Sequence, residues 1–230
     1  VRKVNEQIVD NANGDGSGVP DPGPGTPGAD GIHFYPLDGS GEDAVGNNDA
    51  TLRQGAVYGP GKTGEGLVLN GAGQYADAGA ALLDTSKYYT AGAWVKLNKA
   101  DGSFQTFVSQ DGDRDSAFFL QYSGQDQRFA MSFPGIQALS PTKPNPGQWY
   151  HVTGVRDVVK GELRLYVDGQ LVAAKSACTL DSSSTGTTVI GRAKFGGNQV
   201  DFLDGTIDEV HLHDRALTDA EVQALYESGR

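Results

Sequence analysis

The segment Gln148–Ala173, QWYHVTGVRDVVKGELRLYVDGQLVA, constrains the fold more than any other part of the chain. Apolar and polar residues alternate through Trp149–Val155. Leu163, Leu165 and Val167 then alternate with Glu162, Arg164 and Tyr166. A period of two puts one set of side chains in a core and the other on an open face. Asp168-Gly169 separates the second and third apolar runs, and an Asp-Gly pair supplies the positive φ angles of a type I′ hairpin turn. The segment therefore reads as three consecutive antiparallel strands.

The rest of the chain repeats this pattern. Strands are expected at Ile32–Pro36, Leu67–Leu69, Gln74–Asp77, Tyr89–Lys96, Phe104–Ser109, Ala117–Tyr122, Arg128–Phe133, Trp149–Arg156, Glu162–Val167, Gln170–Cys178, Thr188–Arg192 and Gly205–His213. Turn residues separate them at short intervals, and the 33 glycines among 230 residues serve those turns. Closely spaced short strands favour a two-sheet sandwich over a βαβ fold. One helix is expected at the C-terminus. Thr218 and Glu221 have the spacing of a capping box, Val222, Leu225 and Tyr226 follow at helical spacing, and Gly229 ends it.

Residues 13–31 contain seven glycines and four prolines and no aromatic residue. Such a stretch buries too little apolar surface to offset its ordering entropy, so 1–31 reads as a tail and linker and 32–230 as one domain. No signal peptide is visible, and the start at Val1 suggests a part of a longer protein tethered through this linker. No apolar run reaches a membrane span. The net charge of −11 argues against nucleic acid, which demands clustered Lys and Arg, and suits a neutral polysaccharide or a metal ion. The lone Cys178 forms no intrachain disulfide and reads as a small buried residue.

Three groups of residues invite a functional reading. Asp38 follows the first strand and Asp208 lies in the last. First and last strands of a sandwich are often neighbours, so the two carboxylates can converge, with Asn70, Gly71 and Gln74 of one turn as further oxygen ligands for calcium. A turn residue and a strand-edge charge is the alternative. In SQDGDRDSA, Asp111, Asp113 and Asp115 alternate as in an EF-hand loop, but Ser116 and Tyr122 stand where that loop needs Gly and Glu. The segment instead reads as a hairpin loop, with Asp111, Asp113, Arg114 and Tyr122 as candidate ligand contacts. Among His33, His151, His211 and His213, the pair on the last strand lacks a third zinc ligand, so a structural role is expected. Trp94 and Trp149 read as core. Tyr58, Tyr88, Tyr122 and Phe129 are the candidates for exposed stacking.

No nucleophile elbow, H-E-x-x-H or P-loop occurs, nor the E-x-D-x-x-E strand of one group of sandwich-fold glucanases. Asp208 and Glu209 are adjacent, and regular alternation sends them to opposite faces. A catalytic function is not expected.

The pieces HFYPLDGSG, GLVLNGAGQYADAG, TAGAWVKL, FVSQDGDRDSAFFLQY, GQWYHVTGVRD, LRLYVDGQLVA, IGRAKFGG and FLDGTIDEVHLHDRALTDAEVQALY occur in that order. Together they closely resemble the laminin G-like, concanavalin A-like domains of secreted bacterial proteins, especially actinobacterial ones, over about residues 32–228. The resemblance implies an all-β jelly-roll sandwich of two antiparallel sheets with one short C-terminal helix. It also implies a structural calcium near Asp38 and Asp208, with the Asn70–Gln74 turn nearby. Such domains are mostly non-catalytic. The expected function is a carbohydrate-binding module of a secreted or cell-surface multidomain protein, its partner a polysaccharide or glycan. The alternative is a protein-binding adhesion or spacer domain.

Overall fold

The computed structural model describes residues 33–133, 135–176 and 183–229. The expected tail and linker, Cys178 and the end of the strand predicted to reach it lie outside the described residues.

The first five strands are β1 (His33–Tyr35), β2 (Thr51–Arg53), β3 (Val57–Pro60), β4 (Glu65–Asn70) and β5 (Tyr75–Asp77). Five more follow: β6 (Tyr89–Leu97), β7 (Gln105–Gln110), β8 (Phe118–Ser123), β9 (Arg128–Phe133) and β10 (Ile136–Leu139). The predicted triplet is β11 (Trp149–Asp157), β12 (Glu162–Val167) and β13 (Gln170–Ser176). The chain closes with β14 (Thr188–Ile190), β15 (Ala193–Phe195), β16 (Asn198–Val200), β17 (Asp204–His213) and the helix α1 (Asp219–Ser228).

Two large antiparallel sheets form a sandwich. One runs β13-β12-β11-β6-β17-β4-β3, with β1 also paired to β17; the other runs β10-β9-β8-β7-β14-β5-β2. The first and last strands are thus neighbours, with Tyr35 opposite Val210. The turn after β12 has the expected geometry: Asp168 and Gly169 both hold positive φ, 51° and 77°.

Alternation builds the core. From β6, Tyr89, Ala91, Ala93, Val95 and Leu97 enter the space between the sheets, as do Phe118, Leu120 and Tyr122 from β8. Leu163 and Leu165 of β12 join them. Burying such side chains contributes roughly 1.5–3 kcal/mol each.

The other face of β12 is not open, contrary to the simple reading of its alternation. Helix α1 covers it. Tyr166 and Val155 form a second cluster with Leu217, Val222 and Leu225. Tyr166 donates to Asp219 Oδ1 at 2.7 Å, and buried Arg164 donates to the same atom at 3.3 Å. The capping box is present: Glu221 N donates to Thr218 Oγ1, and Thr218 N to Glu221 Oε2.

Candidate functional site

Residues of β8 that alternate with the core ones point away from it. Phe119 and Gln121 do so, and Ser132 of β9 and Gln137 of β10 lie beside them: Ser132 is paired with Phe119 on one side and Gln137 on the other. These four line a cleft of about 310 Å³. Phe195 and Val200, from the β15–β16 hairpin, and Phe104 and Asp201 complete it together with Phe133 and Gly135. An apolar lining with a few convergent polar groups is the usual make-up of a small-ligand site.

The polar groups are only partly satisfied by the protein. Gln121 is 4% exposed, and its Nε2 donates to Ser132 Oγ at 3.1 Å. Its Oε1 is buried and accepts no hydrogen bond. Burial pushes the Asp201 carboxyl up to about 6. Asp201 holds a left-handed φ of 57°, and its backbone carbonyl, not its side chain, accepts from Thr106 N. Phe195 is 58% exposed, so its ring offers an apolar face at the open side of the cleft.

The hairpin carrying Phe195 turns through Gly196 and Gly197, both at positive φ, the conformation a two-residue turn requires. The strand reading of the sequence missed it, although Gly-Gly between AKF and NQV is a short-range hairpin signal. It also missed β2, β3 and β10.

The 111–116 loop buttresses this hairpin. Both Asp111 carboxylate oxygens accept from Arg192, at 2.7 and 2.9 Å. Gly196 N donates to Asp115 Oδ1, Gly197 N to Arg114 O, and Lys194 Nζ to Gly112 O. Asp113 and Arg114 are exposed at the loop tip and do not line the cleft. Tyr122 corrects an expectation. It is fully buried between the sheets, its hydroxyl donating to Asp101 O, so it presents no face to a ligand. Phe129 is likewise core at 2% exposure, while Tyr58 and Tyr88 are half-buried.

The expected calcium ligands divide into two places. Asp38 and Asp208 do converge, at the turn between β3 and β4. Asp208 Oδ2 accepts from Lys62 N and Thr63 N at 2.7 and 3.0 Å, and Asp38 Oδ1 accepts from Glu65 N at 2.7 Å. Glycine is needed here: a Cβ at Gly61 would lie 2.6 Å from Asp208 Oδ2, and one at Gly64 would collide with Asp38 Oδ1. Asn70, Gly71 and Gln74 lie elsewhere. Asn70 pairs with Asp204 at the far end of β4, where its side chain accepts from Ala72 N and Gln74 Oε1 accepts from Asn70 N. Those oxygens close their own turn, opposite Asp204 and so four residues along β17 from Asp208.

A bulge in β17 breaks the alternation between Asp208 and His211, with Glu209 at φ 50°. Asp208 and Glu209 therefore do not diverge as regular pleating predicts. Both sense Asp38, and Lys62 also faces Glu209. Bulges re-aim side chains in this way. Burial, then Asp38, pushes the Asp208 carboxyl up to about 6, against three backbone N–H donors. Among the described residues no three His, Cys, Asp or Glu side chains are grouped to hold a metal.

His151, His211 and His213 form a buried row outside the inter-sheet core, ring centres 6.4 Å apart in each adjacent pair. Trp94, 4% exposed, packs there against His151 and against Tyr226 of α1, so it is buried beneath the helix rather than between the sheets. Trp149 is half-buried, with the Lys96 amine over its ring.

The family model described as the concanavalin A-like lectin/glucanases superfamily, Laminin_G_3, matches residues 70–223. The chain belongs to this superfamily. No curated protein matches it. Among solved structures, this concanavalin A-like domain is similar to domain 4 of an extracellular GH43 arabinanase from Geobacillus stearothermophilus, solved in complex with arabinotriose. The identity is 21% and the TM-score 0.70, over 86% of this chain and 98% of that one. It is similar to a Trypanosoma rangeli sialidase mutant with trans-sialidase activity at 18% identity and TM-score 0.67, over 88% of this chain and 33% of the sialidase. The binding domain of botulinum neurotoxin DC, solved with rat synaptotagmin II, matches at 11% identity and TM-score 0.63, over 84% of this chain and 51% of that one. At these identities the likeness is one of fold. No helix among the described residues is long and apolar enough to cross a membrane.

Proposed function

We propose that this domain is a non-catalytic carbohydrate-binding module of a secreted or cell-surface multidomain protein, and that the cleft beside Phe195 is its saccharide site. The exposed Phe195 ring next to a buried, unpartnered Gln121 acceptor supports this reading most directly. Sugars present apolar C–H faces to aromatic rings and hydroxyls to polar groups, and the cleft offers both kinds of surface. The arabinotriose complex of a similarly folded domain is consistent with it. Linked to another domain, such a module raises that domain's effective concentration at a polysaccharide. The test is titration with an oligosaccharide panel, in which Phe195→Ala should lose about tenfold in affinity for whatever the wild type binds, the size of one aromatic contact.

A structural calcium belongs to the same proposal. Asp38 and Asp208 would hold it, and carbonyl or water oxygens would supply the remaining ligands that a hard cation takes. The two carboxylates meet at one turn, where the Asp38 charge helps to raise the proton affinity of Asp208, and this supports the reading. When bound, the ion would neutralise them and fix the β3–β4 turn against β17. An adhesion role toward a protein is the second reading, and a cleft open to a protruding side chain is compatible with it.

A further inference from the structure

We infer that the cleft selects an uncharged saccharide, with Gln121 Oε1 and the Asp201 carboxylate as the acceptors that read its hydroxyls. This rests on the cleft being the saccharide site. The inference starts from what the protein leaves unmet. Gln121 is fixed by its bond to Ser132, so its Oε1 has a set direction and no donor. A buried acceptor without a partner has lost its water and gained nothing in return, a deficit that a ligand hydroxyl removes on binding. Asp201 lines the same cleft, half-buried, and its side chain accepts no hydrogen bond from the described residues. Both groups take protons and neither gives one, so the complementary ligand must donate at both points.

Charge narrows the class. Among the described residues no Lys or Arg lines the cleft. The Arg156 guanidinium stacks on Phe133 at 5.0 Å but is itself 4% exposed and does not line the cleft. Lys194 is turned to Gly112 O, and Arg192 is held by Asp111. An acidic sugar would therefore bring its carboxylate beside the half-buried Asp201 with no lining cation to compensate. A neutral sugar donates hydroxyls to both acceptors and lays its C–H face on Phe195 or Phe119.

The experiment is calorimetric titration of the full chain with neutral trisaccharides (arabinotriose, xylotriose, cellotriose and α-1,4-linked galactotriose) and with trigalacturonate, the same α-1,4-linked backbone with carboxylates at C6. The best-bound ligand should be neutral, with trigalacturonate at least about tenfold weaker than galactotriose or undetectable. Asp201→Asn, a residue that adopts left-handed φ readily, and Gln121→Met should each weaken the best ligand about tenfold without a large loss of melting temperature. Asp201→Asn should also narrow the gap between neutral and acidic sugars. Trigalacturonate as the tightest ligand would overturn the inference. So would a neutral ligand whose binding is abolished by Phe195→Ala yet unmoved by Asp201→Asn and Gln121→Met, an outcome that leaves the cleft as the saccharide site. No binding by any sugar would overturn both.

Discussion

Asp111 holds Arg192 through both carboxylate oxygens, and so ties the 111–116 loop to the stretch of chain from which the Phe195 hairpin rises. The Arg192 side chain is 2% exposed and lies over Tyr75, 4.6 Å from its ring centre. Asp111→Ala leaves this buried guanidinium without its counter-charge. The expected loss is about 3 kcal/mol, read by denaturant unfolding, with weaker binding in the cleft although Asp111 does not line it. A loss below about 0.5 kcal/mol would mean that water replaces the carboxylate.

The N-terminus of α1 is set by the Thr218–Glu221 box, and the helix roofs the outer face of β12. Thr218→Ala should cost about 1 kcal/mol in thermal or chemical unfolding. An unchanged midpoint would show that the helix is held by its packing alone.

Beneath that helix, burial pushes His151 down to about 4, and burial followed by the neighbouring His151 and His213 pushes His211 well below its usual range. The unfolded chain takes these protons near pH 6.5. A histidine held below its unfolded value contributes stability in full above about pH 6.5, and that contribution falls away as pH drops toward 4. For His151 the loss is on the order of 3 kcal/mol. Tyr226, Trp94 and Thr153 surround that ring, with Asp168 and Lys62 close by. Melting temperature should fall between pH 6.5 and 4, less steeply in His151→Gln. Identical slopes for variant and wild type would refute the assignment.

For the cation, adding calcium to metal-stripped protein should raise the melting temperature, because an ion that binds only the native state stabilises it by mass action. Asp208→Ala should abolish the rise, and Asn70→Ala should leave it intact, since Asn70 sits at the other end of β4. Equal melting with calcium and with chelator would rule out a structural calcium.

How legible all this was depends on the scale of the pattern. Alternation in β11 and β12 and the Asp168-Gly169 turn fixed three strands, and the Thr218 box fixed the helix, because these are signals within a few residues. The pairing of first and last strands followed from the sandwich itself and brought Asp38 to Asp208. The Asn70 turn was misplaced because its distance from Asp208 is set by the β4–β17 register, which no local pattern carries. For Tyr122 parity alone is enough: it shares a face with Phe118 and Leu120, both core, so it belongs inside rather than at a ligand. Arg164 and Tyr166 looked solvent-facing until a helix 50 residues downstream covered them. The cleft was the least legible part. It joins alternate residues of three strands to a Gly-Gly hairpin, and its two spare acceptors show only once every other hydrogen bond is placed.

The most direct measurement is mapping of amide chemical-shift changes as a neutral oligosaccharide is titrated into the isotopically labelled chain. Saturable shifts clustered at Phe119, Gln121, Ser132, Gln137 and the Phe195–Asp201 hairpin are predicted, with Asp113 and Arg114 little changed. Shifts confined to the loop tip or to the helix face, or none with any sugar tested, would contradict the account.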